Sequence, residues 1–226
     1  MALLLNIDTA TEQAGVCLSS GEEILALEET PGQKNHASFV QPAIQRVLQT
    51  AGCSLGNIDA IAVTGGPGSY TGLRVGLSTA KGLCYALGKP LIMVNTLEVM
   101  AKACILADNL LYRDENDVLF CPMIDARRME VFTALYNSNL QIAQQPTAMI
   151  LDETSFQNEL GSHKIIFSGN GSTKAQIIQH PNAAFSNISY SVKHLAILAL
   201  MAYKASQFAN LAYSTPFYLK EFHKKL

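Results

Sequence analysis

The segment Thr64-Gly65-Gly66-Pro67-Gly68-Ser69-Tyr70-Thr71-Gly72-Leu73-Arg74-Val75-Gly76 concentrates the residue types from which anion-binding loops are made. Gly65, Gly66, Gly68 and Gly72 lead to Arg74, and the stretch joins an apolar strand pattern to a helical one. Backbone N–H groups and a helix N-terminus can hold phosphate at such a junction. The spacing nevertheless excludes two common phosphate loops. No Gly-Lys-Ser/Thr closes the segment, and Thr71 stands where the dinucleotide fingerprint needs its last glycine. The same glycines could instead serve a tight connection, supplying positive φ while Pro67 stiffens the turn. Anion site and structural connection both stay open on these residues.

Two carboxylates invite the same double reading. Asp8 and Asp125 end apolar runs, Leu3 to Asp8 and Val118 to Asp125. In that position a carboxylate can hold a hydrated Mg²⁺ weakly, or cap its own hairpin by accepting backbone N–H bonds. The histidines are His36, His163, His180, His194 and His223, and none forms HExxH or a close pair, so a zinc-peptidase spacing is absent. His36 lies near Ser38, but Ser38 is better placed to cap the helix that follows than to act as a nucleophile. Cys17, Cys53, Cys84, Cys104 and Cys121 are odd in number, scattered and without a CxxC pair, which reads as reduced thiols buried like small hydrophobes.

The elements that must position these groups follow from periodicity. Leu3 to Asp8, Ala14 to Ser19 and Ile24 to Glu28 form three strand patterns. A helix from about Ser38 to Ala51 puts Phe39, Val40, Ile44, Val47 and Leu48 on one face, and Gly52 stops it. Ile58 to Thr64 is a strand, the glycine segment a loop, and Gly76 to Leu87 a helix closed by Gly88. Pro90 to Asn95 and Leu97 to Ala107 add a strand and a helix. The pattern then restarts: Val118 to Asp125, Val131 to Tyr136 and Leu140 to Gln144 repeat strand, Asp, strand, polar turn and strand. Ile165 to Phe167 and a helix near Leu195 to Phe208 complete the second half, so the expectation is an internal duplication. The fold class is α/β, with two similar lobes of mixed sheets flanked by helices. The lobes are expected at 1–105 and 106–226, with a return of the final segment to the first lobe left open.

Composition narrows the function. The 226 residues carry 16 Lys plus Arg against 18 Asp plus Glu, a net charge of −2. That balance argues against a free-standing nucleic-acid binder and leaves room for RNA contact inside a larger complex. Charged residues make up only 15%, below the roughly 25% of ordinary soluble domains, which implies surface hidden against a partner. The start lacks a basic region, Asp8 interrupts its apolar run, and the run Leu195 to Ala202 falls short of the ~20 residues a span needs. A cytoplasmic protein without membrane contact is the expectation.

The glycine segment GGPGSYTGLRVG, the NIDTAT at residues 6–11, the IDAR at 124–127 and the Tyr218-Leu219-Lys220 near the end resemble the TsaB (YeaZ) family over nearly the whole chain. That resemblance implies an actin-like ATPase fold of the sugar-kinase and Hsp70 type, in which carboxylates placed like Asp8 and Asp125 can face nucleotide phosphates through a metal. It implies a non-catalytic subunit of the bacterial machinery that makes N6-threonylcarbamoyladenosine at adenosine 37 of ANN-decoding tRNAs. The implied partners are the catalytic paralogue TsaD and the small ATPase TsaE, with tRNA reached only through the complex and self-pairing available when the chain is alone. In the paralogue two metal-binding histidines occupy i and i+4 of one helix; here the matching positions are Thr96 and Met100, poor ligands for a hard cation. No catalytic residue, no metal and no cofactor in the isolated chain are therefore expected. The small-residue helix suits either a sheet beneath or a partner helix outside, and the resemblance, in a family that pairs through these helices, makes Leu77, Ala80, Lys81 and Cys84 candidates for the partner interface. The rival readings are a glycoprotease-like peptidase and a small-molecule kinase of the actin-like superfamily. The tail Lys220-Glu221-Phe222-His223-Lys224-Lys225 reads as a solvated basic end.

Overall fold

A computed structural model describes residues 1–30, 32, 35–108 and 117–220. Two five-stranded mixed sheets carry the chain, and they share one topology. In the first, β1 (Leu3–Asp8), β2 (Gly15–Ser20) and β3 (Glu23–Glu29) form an antiparallel meander, and β4 (Ala60–Thr64) and β5 (Leu91–Val94) continue in parallel from β1, giving the order β3-β2-β1-β4-β5. In the second, β6 (Val118–Asp125), β7 (Glu130–Tyr136) and β8 (Ile142–Ile150) form the meander, and β9 (Lys164–Ser168) and β10 (Ala183–Phe185) extend it in parallel. The order β8-β7-β6-β9-β10 repeats the first sheet strand for strand, so the duplication legible in the sequence is present in the topology. Asp8 and Asp125 end the equivalent strands β1 and β6.

Helix α1 (His36–Thr50) starts two residues earlier than its apolar stripe suggests. Its cap is Asn35, whose side chain accepts from the Ser38 amide, rather than Ser38 itself. Helix α2 (Tyr70–Leu87) starts six residues earlier than expected: Ser69 caps it by accepting from the Gly72 amide, and Gly88 closes it in the left-handed conformation. Gly72, Arg74 and Gly76 are thus helical, not loop. On α2, Leu73, Leu77, Ala80 and Cys84 form the inward stripe at helical spacing. All five residues of β4 are buried because α2 and helix α5 (Val192–Lys204) both pack on that strand, as a covered parallel strand requires.

The contacts divide the chain into two compact units, Met1–Thr96 with Ser191–Phe217, and Leu97–Tyr190 with Tyr218–Leu226. The cut falls within α3 (Thr96–Asp108), ahead of the expected 105/106 boundary. The return to the first unit begins at Ser191, because the apolar side of α5 packs on the first sheet and Ala209 bridges to Leu91 beyond it. In the second unit Leu119, Cys121, Met123, Val131, Ile165 and Phe167 build the core between sheet and the short helix α4 (Gln157–Leu160). Of the basic tail, residues 221–225 lie outside the described residues.

Candidate functional site

The two motifs of the first unit, Asp8-Thr9-Ala10-Thr11 and the glycine segment, meet in one corner. Gly72 and Gly68 lie so close to the carbonyls of Thr9 and Ala10 that a Cβ on either would collide with backbone oxygen. The approach is fastened by hydrogen bonds. The Ser69 amide donates to the Ala10 carbonyl at 2.7 Å, and the Thr9 hydroxyl to the Gly72 carbonyl at 2.7 Å. The Thr64 hydroxyl donates to Asp8 Oδ1 at 2.8 Å. Gly66 is at φ 108, a conformation glycine adopts without strain, and its carbonyl accepts from the Thr96 amide at 2.9 Å. The Gly65 carbonyl accepts from Phe217 at 2.7 Å, which ties the returning segment to the loop. Lys81 holds the same segment by donating to the carbonyls of Ala212 and Ser214.

The sequence motifs name most of this corner but do not show how three of its residues, His36, Thr9 and Thr64, support it. His36, buried, sets Nε2 2.8 Å from the Thr11 carbonyl, so it braces the β1–β2 turn and is not paired with the exposed Ser38. Its ring edge also lies beside Gly72. Thr9 and Thr64 stand within the motifs, but their supporting roles are hidden. No spacing rule marks them, because their partners lie 63 and 56 residues away.

Asp8 is buried and accepts from the Ala10 amide at 2.9 Å as well as from Thr64. Asp125 accepts from the Arg127 amide at 2.6 Å and from Lys174 Nζ at 2.7 Å. Each carboxylate therefore bonds the amide two residues on, the hairpin-capping geometry. Partial burial works to raise the Asp125 carboxyl, and the Lys174 ammonium with the Arg127 amide reverses it, leaving the group below its ordinary value of 3.8.

Three of the four expected interface residues are corrected by the packing. Leu77, Ala80 and Cys84 are buried in the core of the first unit and face the sheet, so they cannot meet a partner; Lys81 is half-buried and engaged. The outward face of α2 is Thr71, Arg74, Ser78, Gly82 and Tyr85. Arg74 lies over the Tyr70 ring at 3.9 Å, and Tyr85 is 84% exposed. On α3 the Thr96 hydroxyl is buried with no hydrogen-bond partner among the described residues, and Met100 is buried in an apolar cluster with Leu97, Ile124 and Tyr136. Among the described residues no three His, Cys, Asp or Glu side chains gather into a metal-binding group, and no helix is long and apolar enough to cross a membrane.

A model of the family "TsaD: tRNA N6-adenosine threonylcarbamoyltransferase" matches residues 30–225. The chain is similar to the tRNA threonylcarbamoyladenosine biosynthesis protein TsaB of Bacillus subtilis, 33% identical over 63% of this chain and 58% of that protein. It is similar to TsaB of Escherichia coli, 37% identical over 59% of this chain and 54% of that one. The chain thus spans just over half the length of the curated relatives it matches. The solved structure of YeaZ from Pseudomonas aeruginosa superposes with a TM-score of 0.78 at 25% identity, over 97% of this chain and 100% of that one. The fold they share is the actin-like ATPase fold.

Proposed function

We propose that this chain, which belongs to the tRNA N6-adenosine threonylcarbamoyltransferase (TsaD) family and within it stands with the TsaB (YeaZ) relatives, is a binding subunit in the making of N6-threonylcarbamoyladenosine in tRNA. The catalytic work in this reading belongs to a TsaD-type paralogue, with the TsaE ATPase joining the pair and adenosine 37 of ANN-decoding tRNAs as target, in the cytoplasm. One observation carries the reading. The junction where a phosphate loop would sit is spent on the chain's own backbone, since Gly68 and Gly72 abut the Ala10 and Thr9 carbonyls and Ser69 caps α2. A loop used that way fixes a helix in place. What it presents is the outer face of α2, where Ser78 and Gly82 are small enough for close helix approach and Tyr85 stands out as an aromatic anchor. Binding there favours whichever form of the partner fits it better, so the chain acts by shifting that partner's equilibrium. Alone, the same face can close a two-fold dimer.

The test is light scattering on the full chain mixed with a TsaD-type subunit, with Tyr85→Ala alongside. A 1:1 complex weakened tenfold or more by Tyr85→Ala, at unchanged Tm, supports the reading. No complex at micromolar concentrations of either protein overturns it.

A further inference from the structure

We propose that the turn between β6 and β7 is an RNA-phosphate site, in which Arg127 and Arg128 take backbone phosphate while Met129 and Ile150 meet the adjoining nucleoside. The choice of RNA rests on the tRNA-modification reading above; the chemistry rests on the turn. Arg127 and Arg128 have φ of 72° and 50°, the left-handed region that side-chain-bearing residues other than Asn and Asp seldom adopt. The turn is held there by its own bonds. Asp125 accepts from the Arg127 amide, the Ala126 amide donates to Glu130, and the Glu130 amide donates to Arg127. A turn chosen for geometry alone would use Gly or Asn, so two consecutive arginines at these angles point to a use for their side chains.

The charges around them make that use specific. Asp125 is matched by Lys174 at 2.7 Å, and Glu130 by Lys220 at 2.7 Å. Among the described residues neither guanidinium has an ion-pair partner, and both side chains are exposed. Two unmatched guanidiniums therefore border a recess of about 460 Å³. Ile150, 72% exposed, and Met129, 37% exposed, line it beside them. Guanidinium donors in a planar fork suit phosphate oxygens, and apolar surface next to them suits a ribose or base. The chain's net charge of −2 means that this basic character is local, as expected of a contact made inside an assembly.

The test is the double variant Arg127→Asn, Arg128→Asn, which removes both charges while keeping residues that tolerate the left-handed conformation. Binding of an unmodified tRNA transcript to the full chain, alone and with a TsaD-type subunit, is followed against salt, with Tm as the folding control. Each phosphate contact contributes about 0.7–0.9 to the slope of log K against log salt, so losing two flattens it by about 1.4–1.8 and weakens binding about 25- to 60-fold at 0.1 M salt. The Lys pair Arg127→Lys, Arg128→Lys is expected to keep the slope. Unchanged affinity and slope in the folded Asn variant overturn the inference, as does displacement of the transcript by free AMP at equal phosphate concentration, which would make this a nucleotide site. If tRNA modification needs the chain but the Asn variant binds tRNA normally, the site fails and the functional reading stands. If modification proceeds without the chain while the Asn variant still loses tRNA, the reading fails and the site stands.

Discussion

Alanine at Gly72 and at Gly82 should move stability in opposite directions, although both glycines lie within α2. Helix propensity alone favours alanine by about 1 kcal/mol at either position. At Gly82 a Cβ meets nothing within 4 Å, so that gain stands. At Gly72 it meets the Thr9 carbonyl, with His36 Cδ2 at 3.0 Å and Ser69 Cβ at 3.2 Å. None of these is the loose end of a flexible chain. Thr9 is held by its own hydroxyl bond to the Gly72 carbonyl, and His36 by the Thr11 carbonyl. Overpacking of this kind costs about 1–3 kcal/mol, and losing the Thr9 bond about 1 kcal/mol more. Set against the propensity gain, the net is a loss of about 2 kcal/mol. In a chain of this size 1 kcal/mol shifts Tm by about 2–4 °C, so Gly72→Ala should melt about 4–8 °C lower and Gly82→Ala about 2–4 °C higher. Scanning calorimetry on the three proteins reads both shifts. If both variants rise together, the close approach of α2 to the β1–β2 turn is wrong, and with it the structural role given to the glycine segment.

Ala80→Glu should abolish folding, because a charge would be buried unpaired against the first sheet, whereas Ser78→Glu on the exposed face should stay within about 0.5 kcal/mol of the parent by urea titration. The depressed Asp125 carboxyl contributes stability above its ordinary 3.8 and loses it as pH falls through the lower folded value. The Tm gap between parent and Asp125→Asn should therefore be constant near neutral pH and close in acid; a gap independent of pH would remove the Lys174 pairing. Burial pushes the Cys17 and Cys121 thiols up to about 12 and Cys84 to about 11, and Cys104 is buried too. Native alkylation at pH 8 followed by mass spectrometry should thus label the half-buried Cys53 first, and early labelling of Cys17 or Cys121 would contradict the packing.

The meanders and their duplication are legible in the sequence because hairpin strands pair with their neighbours, and local alternation with a polar turn carries that information. Asp8 and Asp125 could be placed at strand ends on the same grounds. The start of α2 could not. Gly72 and Gly76 look like loop residues until the Thr9 backbone and hydroxyl are seen against them, and that contact spans more than sixty residues. The orientation of α2 was half visible: Leu73, Leu77, Ala80 and Cys84 recur at helical spacing, opposite Arg74, Ser78 and Tyr85. Small residues obscured that stripe, since Gly76, Ser78, Thr79 and Gly82 leave little contrast between the faces of the helix. Which sheet α5 covers was not legible, because an apolar helix face fits either of two similar sheets.

The central claim is that the chain acts by binding, as a subunit of a tRNA-modifying assembly. The most direct measurement is the N6-threonylcarbamoyladenosine content of a tRNA transcript after reaction with a TsaD-type subunit, TsaE and activated threonylcarbamoyl donor, with and without this chain. Modification that depends on the chain, and that the chain cannot perform by itself, is the predicted result. Full modification in its absence, or modification by the chain alone, would contradict the account.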